Sequence, residues 1–218
     1  MKKVFLLMAI VVLALATVPA MAYDWTIANA GTKYSATTGY VSWAGILPAT
    51  NAYAGADLVS VSHLNNYQYT AWMYCVDAVN LNYTHTYDRR VGQIPTPNLP
   101  QPTAAQWGQV AWLVKTYGVN TATMTGDQSA GLQLAIWTSV SPTSGTGAFS
   151  YTGFGGAAAY ATTYLSALGS NTASYDDVVV FVDGQNLVQA PAVPEPMSIM
   201  LGIMGLGSIA GFRKLRRK

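Results

Sequence analysis

Cys75 is the single cysteine among 218 residues, set in the stretch Tyr74-Cys75-Val76-Asp77. A thiolate is a strong nucleophile and a metal ligand, so this is the side chain best equipped for covalent chemistry. A disulfide within the chain is excluded by the count. A cysteine hydrolase would need a histidine, and the chain holds two, His63 and His85, with Asp77 or Asp88 to orient the imidazole. So small a set pairs by chance, and His85 lies in a polar stretch, Asn82-Tyr83-Thr84-His85, that reads as an exposed loop or a strand end. No enzyme is expected. In the absence of chemistry a lone cysteine is a small buried hydrophobe.

Other chemistries have weaker signatures. Asp176, Asp177 and Asp183 lack the spacing of a calcium loop, and Asp183-Gly184 is explained as a turn. Gly153, Gly155 and Gly156 have neither the strand–GxGxxG–helix setting nor the lysine of a phosphate loop. No metal or cofactor is expected. The chain carries a net charge of +2, but between residues 23 and 190 four basic residues face eight aspartates, a net charge of −4. The basic surplus sits at the two ends. Nucleic-acid binding would need a basic face on the domain itself and is not expected. Few charges and many hydroxyl and amide side chains suit an extracellular surface.

The ends make the cysteine odd. Residues 1–22 have the form of a signal peptide: Lys2 and Lys3, an apolar run from Val4 to Ala16, then Ala20-Met21-Ala22 as the cleavage site for signal peptidase. Export leads to an oxidising compartment, where cysteines usually pair. An odd one suggests an intermolecular bond or a reactive thiol. The other end, residues 191–218, holds Val193-Pro194-Glu195-Pro196, a stiff extended element, because each proline fixes its own φ. Met197 to Phe212 follows, about 16 uncharged residues against the roughly 20 that cross a bilayer comfortably. Arg213, Lys214, Arg216, Arg217 and Lys218 close the chain and would stay on the cytoplasmic side of the inner membrane.

Between these ends, residues 23–190 are long enough for one domain with a real core. The first part reads as strands, sandwich- or barrel-like. Tyr40 to Ala44, Leu58 to Val61 and Gln68 to Val79 are rich in Val, Tyr, Thr and Trp, with Gly31, Gly39, Gly45, Pro48 and Gly55 as breaks. A proline-rich stretch around Pro95 to Pro102 then excludes helix and central strand. Three helices follow. Thr103 with Gln106 makes a capping box, and Trp107, Val110, Leu113 or Val114, and Tyr117 share one face, with Gly118 as the stop. The second opens with Thr125 or Asp127 as cap and must end before Pro142; the third ends at Gly169. A C-terminal hairpin about Asp183-Gly184 completes an α+β order, with a separate membrane helix beyond.

Two resemblances bear on function. Pro194-Glu195-Pro196, the short apolar span and the terminal basic cluster resemble the PEP-CTERM sorting signal of Gram-negative bacteria. That implies recognition by an exosortase, processing near the motif, a transient inner-membrane intermediate, and delivery to the cell surface or extracellular matrix. Tyr74-Cys75-Val76-Asp77 together with Gln133-Leu134-Ala135-Ile136-Trp137 resembles the thioester (TQXA) domain of bacterial surface adhesins. Leu132 stands where that motif has Thr, and Leu134 where a polar residue is more usual. The resemblance implies a thioester between Cys75 and Gln133, formed with loss of ammonia, buried under aromatic cover from Trp72, Tyr74 and Trp137, and opened by an amine on a surface or matrix ligand. Asp77 would orient an amide during formation. The alternative is a noncovalent structural protein of a matrix or biofilm with an inert cysteine.

Overall fold

The structure is a computed structural model and describes residues 25–33, 37–63, 68–76, 86–91, 103–174, 178–182 and 187–190. Its elements are β1 (Trp25–Lys33), β2 (Thr37–Trp43), β3 (Leu47–Ala54), β4 (Asp57–His63), β5 (Gln68–Cys75), β6 (Thr86–Val91), α1 (Ala104–Thr116), a 3-10 turn (Gly118–Thr123), α2 (Gly126–Val140), β7 (Phe149–Thr152), α3 (Gly156–Leu168), β8 (Val179–Val182) and β9 (Leu187–Ala190). The α+β class is as expected. The strands form two antiparallel sheets: a closed barrel in the order β1-β4-β5-β9-β8-β6, and a three-stranded sheet in the order β3-β2-β7. The C-terminal pair β8–β9 closes the barrel between β6 and β5.

Three expected strand breaks lie inside strands instead, one of them Pro48, the second residue of β3, an edge strand of the small sheet where proline is tolerated. Gly31 falls within β1, where the register against β4 shifts between Asn29 and Lys33. Gly39 is in the middle of β2 because Phe154 lies against it. A Cβ there would stand 2.5 Å from the Phe154 ring and 2.6 Å from the Thr152 carbonyl oxygen. β7 answers to no strand signal in the sequence; it is short and adds to the edge of β2.

α1 and α2 begin at capping boxes, while α3 begins after Gly155 without a side-chain cap. Thr103 Oγ1 accepts from Gln106 N–H while Gln106 Oε1 accepts from Thr103 N–H, and Thr125 and Gln128 repeat the device at α2. Each box satisfies donors that a helix start leaves orphaned. α2 stops at Val140, two residues before Pro142.

α2 is the centre of the molecule. Every residue from Ser129 to Val140 except Thr138 is buried. A helix without a polar face must be covered on all sides. On one side Ala130, Leu134 and Trp137 pack with Val41 and Trp43 of the small sheet and with Met73, Cys75 and Leu187 of the barrel. On another, Leu132, Ala135 and Ile136 pack with Tyr74 and Val188 of the barrel and with Trp107, Val110 and Leu113 of α1. Gly131 lets α3 approach, since a Cβ there would stand 2.5 Å from Tyr160 Cβ. Among the described residues, no helix is long and apolar enough to cross a membrane. Residues 1–22, expected as a signal peptide, and residues 191–218, expected as a sorting signal with Val193 to Pro196 and the basic tail, lie outside the described residues.

Candidate functional site

Ser129 and Gln133 are one helical turn apart on α2, so both face the same neighbour. That neighbour is the end of the β4–β5 ladder. Its last rung pairs Asp57, the first residue of β4, with Met73, and the chain enters β4 through Gly55 and Ala56. Two residues past Met73 comes Cys75, whose other edge is taken by Leu187 of β9. Alternate residues of a strand point their backbone groups to the same edge, so Cys75 presents N–H and C=O where β4 no longer runs. Gln133 fills the gap. Its Oε1 accepts from Cys75 N–H at 2.9 Å, and its Nε2 donates to the Cys75 carbonyl at 2.6 Å. A primary amide carries the same donor–acceptor pair as a peptide, so it serves as an extra rung. Ser129 Oγ accepts from Ala56 N–H at 2.9 Å in the same way.

Cys75 and Gln133, 58 positions apart, are thereby in direct contact inside the protein, 7% and 1% exposed respectively. The Cys75 side chain lies in the core that holds Trp137, Trp43, Met73, Leu134 and Leu187. Trp137 meets the edge of Trp43, with ring centroids 5.7 Å apart, and packs at 5.7 Å on Phe149. Trp43 is pinned in turn, its Nε1 donating to Ser141 Oγ at 3.1 Å. Among the described residues the buried Trp137 Nε1 finds no acceptor, and the rings of Trp43 and Phe149 pack against the indole.

The expected cover is half corrected. Trp137 shares the core of the Cys75 side chain, but Trp72 and Tyr74 do not. Strand side chains alternate, so residues 72 and 74 point away from the face of residue 75. Tyr74 reaches the 3-10 turn, where its hydroxyl lies 3.1 Å from Thr121 Oγ1. Val76, Ala135 and Ile136 are core residues of that second cluster. Trp43, Ser129 and Leu187, which no motif points to, complete the setting. A period-2 reading of β5 would have ruled out Trp72 and Tyr74; nothing in the sequence marks Trp43 as a neighbour.

Of the two histidines only His63 lies among the described residues, and it is far from Cys75. His63 ends β4 beside the start of β5, whereas Cys75 ends β5. More than about 20 Å of strand rise separates the two positions. His85 and Asp77 lie outside the described residues. Among the described residues no group of three His, Cys, Asp or Glu side chains could hold a metal ion. Comparison with family models, curated proteins and solved structures finds no match to this chain.

Proposed function

We propose that the chain is an exported cell-surface or matrix protein, sorted through its C-terminal signal, whose domain closes a thioester between Cys75 and Gln133 and uses it to attach covalently to amines. The observation that carries the reading is the buried Cys75–Gln133 contact between a strand end and the central helix. An amide is a poor electrophile, and holding it beside the nucleophile supplies the missing effective concentration.

The contact also supplies polarisation. Cys75 sulfur adds to Gln133 Cδ, and the negative charge develops on Oε1, which already accepts from Cys75 N–H. Ladder hydrogen bonds hold the amide in the plane of the sheet, while the Cys75 side chain stands out of that plane, on the side from which a carbonyl carbon is attacked. The C–N bond breaks, and Nε2 leaves as ammonia with the thiol proton. An incoming primary amine later takes the acyl group as an amide and regenerates the thiol. Trp137 and Trp43 keep water away until then.

A second reading is favoured by the completeness of the hydrogen bonding. Both polar groups of the Gln133 amide are satisfied by one backbone residue, and that is sufficient reason for a buried glutamine without chemistry. In this reading the protein is a noncovalent structural component of a matrix. Labelled methylamine with the folded protein separates the two. The thioester reading predicts uptake at Gln133 that exposes one maleimide-reactive thiol, with neither event in Cys75→Ala. Absence of uptake sinks it.

A further inference from the structure

The outer face of the β3-β2-β7 sheet has a uniform chemistry. Tyr40 sits between Asn51 of β3 and Thr152 of β7, its direct cross-strand partners. Thr38 faces Tyr53, and Ser42 faces Ser150 with the two hydroxyls 2.7 Å apart. Directly opposed residues share a face, so all seven point outward together. Tyr40 is 54% and Tyr53 60% exposed. Tyr53 is two residues along β3 from Asn51, so the rings are diagonal neighbours, about 7–8 Å apart at Cα by ordinary sheet geometry. The inner face of the same sheet is anchored in the core through Val41 and Trp43. Residues 37–56 and 128–174 contain no Lys, Arg, Asp, Glu or His, so the sheet and its turns offer no formal charge.

We propose that this face binds a neutral polysaccharide chain, with Tyr40 and Tyr53 stacking on sugar rings and the flanking hydroxyls and Asn51 exchanging hydrogen bonds with sugar hydroxyls. Charge complementarity sets the occupant: a face without ions offers nothing to a nucleic acid or a charged polymer. A protein partner would look for a contiguous apolar centre, and here two neighbouring phenols are framed on this face by hydroxyls and an amide. Tyrosine gives a flat, amphipathic contact at low entropic cost, and a sheet pinned from behind is already in its binding shape. Strand addition by a second copy is discouraged at both edges. β7 is four residues long, and β3 carries Pro48, which has no N–H to donate. The face works without Cys75, so binding and covalent capture are separable.

The test is native electrophoresis of the full-length chain in detergent, through gels containing hydroxyethylcellulose, galactomannan or dextran. The expected result is retardation by at least one of these glycans, unchanged by added salt and unchanged in Cys75→Ala. Tyr40→Ala with Tyr53→Ala should weaken it about tenfold per ring, while Tyr40→Phe with Tyr53→Phe retains most of it. Circular dichroism confirms that the variants stay folded. Normal mobility in all three gels, or retardation that survives the double alanine substitution, overturns the proposal. So does a dimer that dissociates in the double alanine variant without glycan retardation, which would make the face a contact between copies.

Discussion

The barrel ends β5 with a borrowed side-chain rung that is almost entirely buried, whereas the three-stranded sheet leaves two tyrosines more than half exposed on its outer face. Both sheets pack on α2, and both contribute to the core around Cys75. They differ in where their polar groups are answered. At the barrel, Ser129 and Gln133 of α2 answer backbone groups that β4 abandons. On the small sheet, hydroxyls and an amide are offered outward. Covalent chemistry needs the first kind of environment, because a reactive acyl group survives only where water is excluded. Recognition needs the second.

The largest effect is expected at the barrel junction. In a Cys75→Ala background, where no ammonia can be lost and the amide stays whole, Gln133→Leu keeps bulk but leaves the backbone N–H and C=O of position 75 buried and unanswered, at roughly 1–3 kcal/mol each. Urea denaturation should therefore show a loss of about 2–6 kcal/mol. A loss below about 1 kcal/mol would mean that the rung is not structural, and the contrast between the sheets would fail. Ser129→Ala removes the acceptor of Ala56 N–H and should cost about 1–3 kcal/mol by the same measurement.

A smaller effect is expected in alkali. Burial, helped by the neighbouring Tyr74, Tyr160 and Tyr117, pushes the Tyr164 phenol from 10.0 up to about 12. Because the folded value is raised, the stabilisation by the protonated phenol is complete below pH 10 and is lost as pH climbs towards about 12. Tyr164→Phe should flatten that part of the stability–pH curve, read from thermal melts; an unchanged slope contradicts the assignment. The smallest effect belongs to the outer face. Tyr40→Ala should shift stability by no more than about 0.5 kcal/mol in urea. A larger cost would show that this ring holds the sheet together instead of facing a ligand.

Local rules carried the helices. Thr103 with Gln106, Pro142 and Gly169 were enough to place α1, the end of α2 and the end of α3. For α2 the cap stayed open between Thr125 and Asp127; Thr125 is the cap, and the Asp127 carboxylate instead accepts from Thr37 Oγ1 at 3.1 Å. Barrel closure was not legible, because pairing β1 with β4 and β6 depends on contacts far apart in sequence. Gly39 misled for a related reason: its lack of a side chain serves Phe154, more than 100 positions away, and not a turn. At the site, Cys75 and Gln133 were visible through their motifs, and the structure brings them together. The form of the contact was not visible. An amide acting as a ladder rung depends on where β4 begins, and that start follows the turn at Gly55 with its φ of 136°.

The most direct measurement is the intact mass of the purified chain beside its Cys75→Ala variant, so that processing at either end cancels. The thioester account predicts that the unsubstituted chain falls short of its sequence-derived mass by about 17 Da, one ammonia, relative to the variant, and that methylamine abolishes the deficit. Equal agreement of both chains with their sequence masses, with the Cys75 thiol alkylated once in denaturant, would contradict it. Gln133 would then be a structural rung alone.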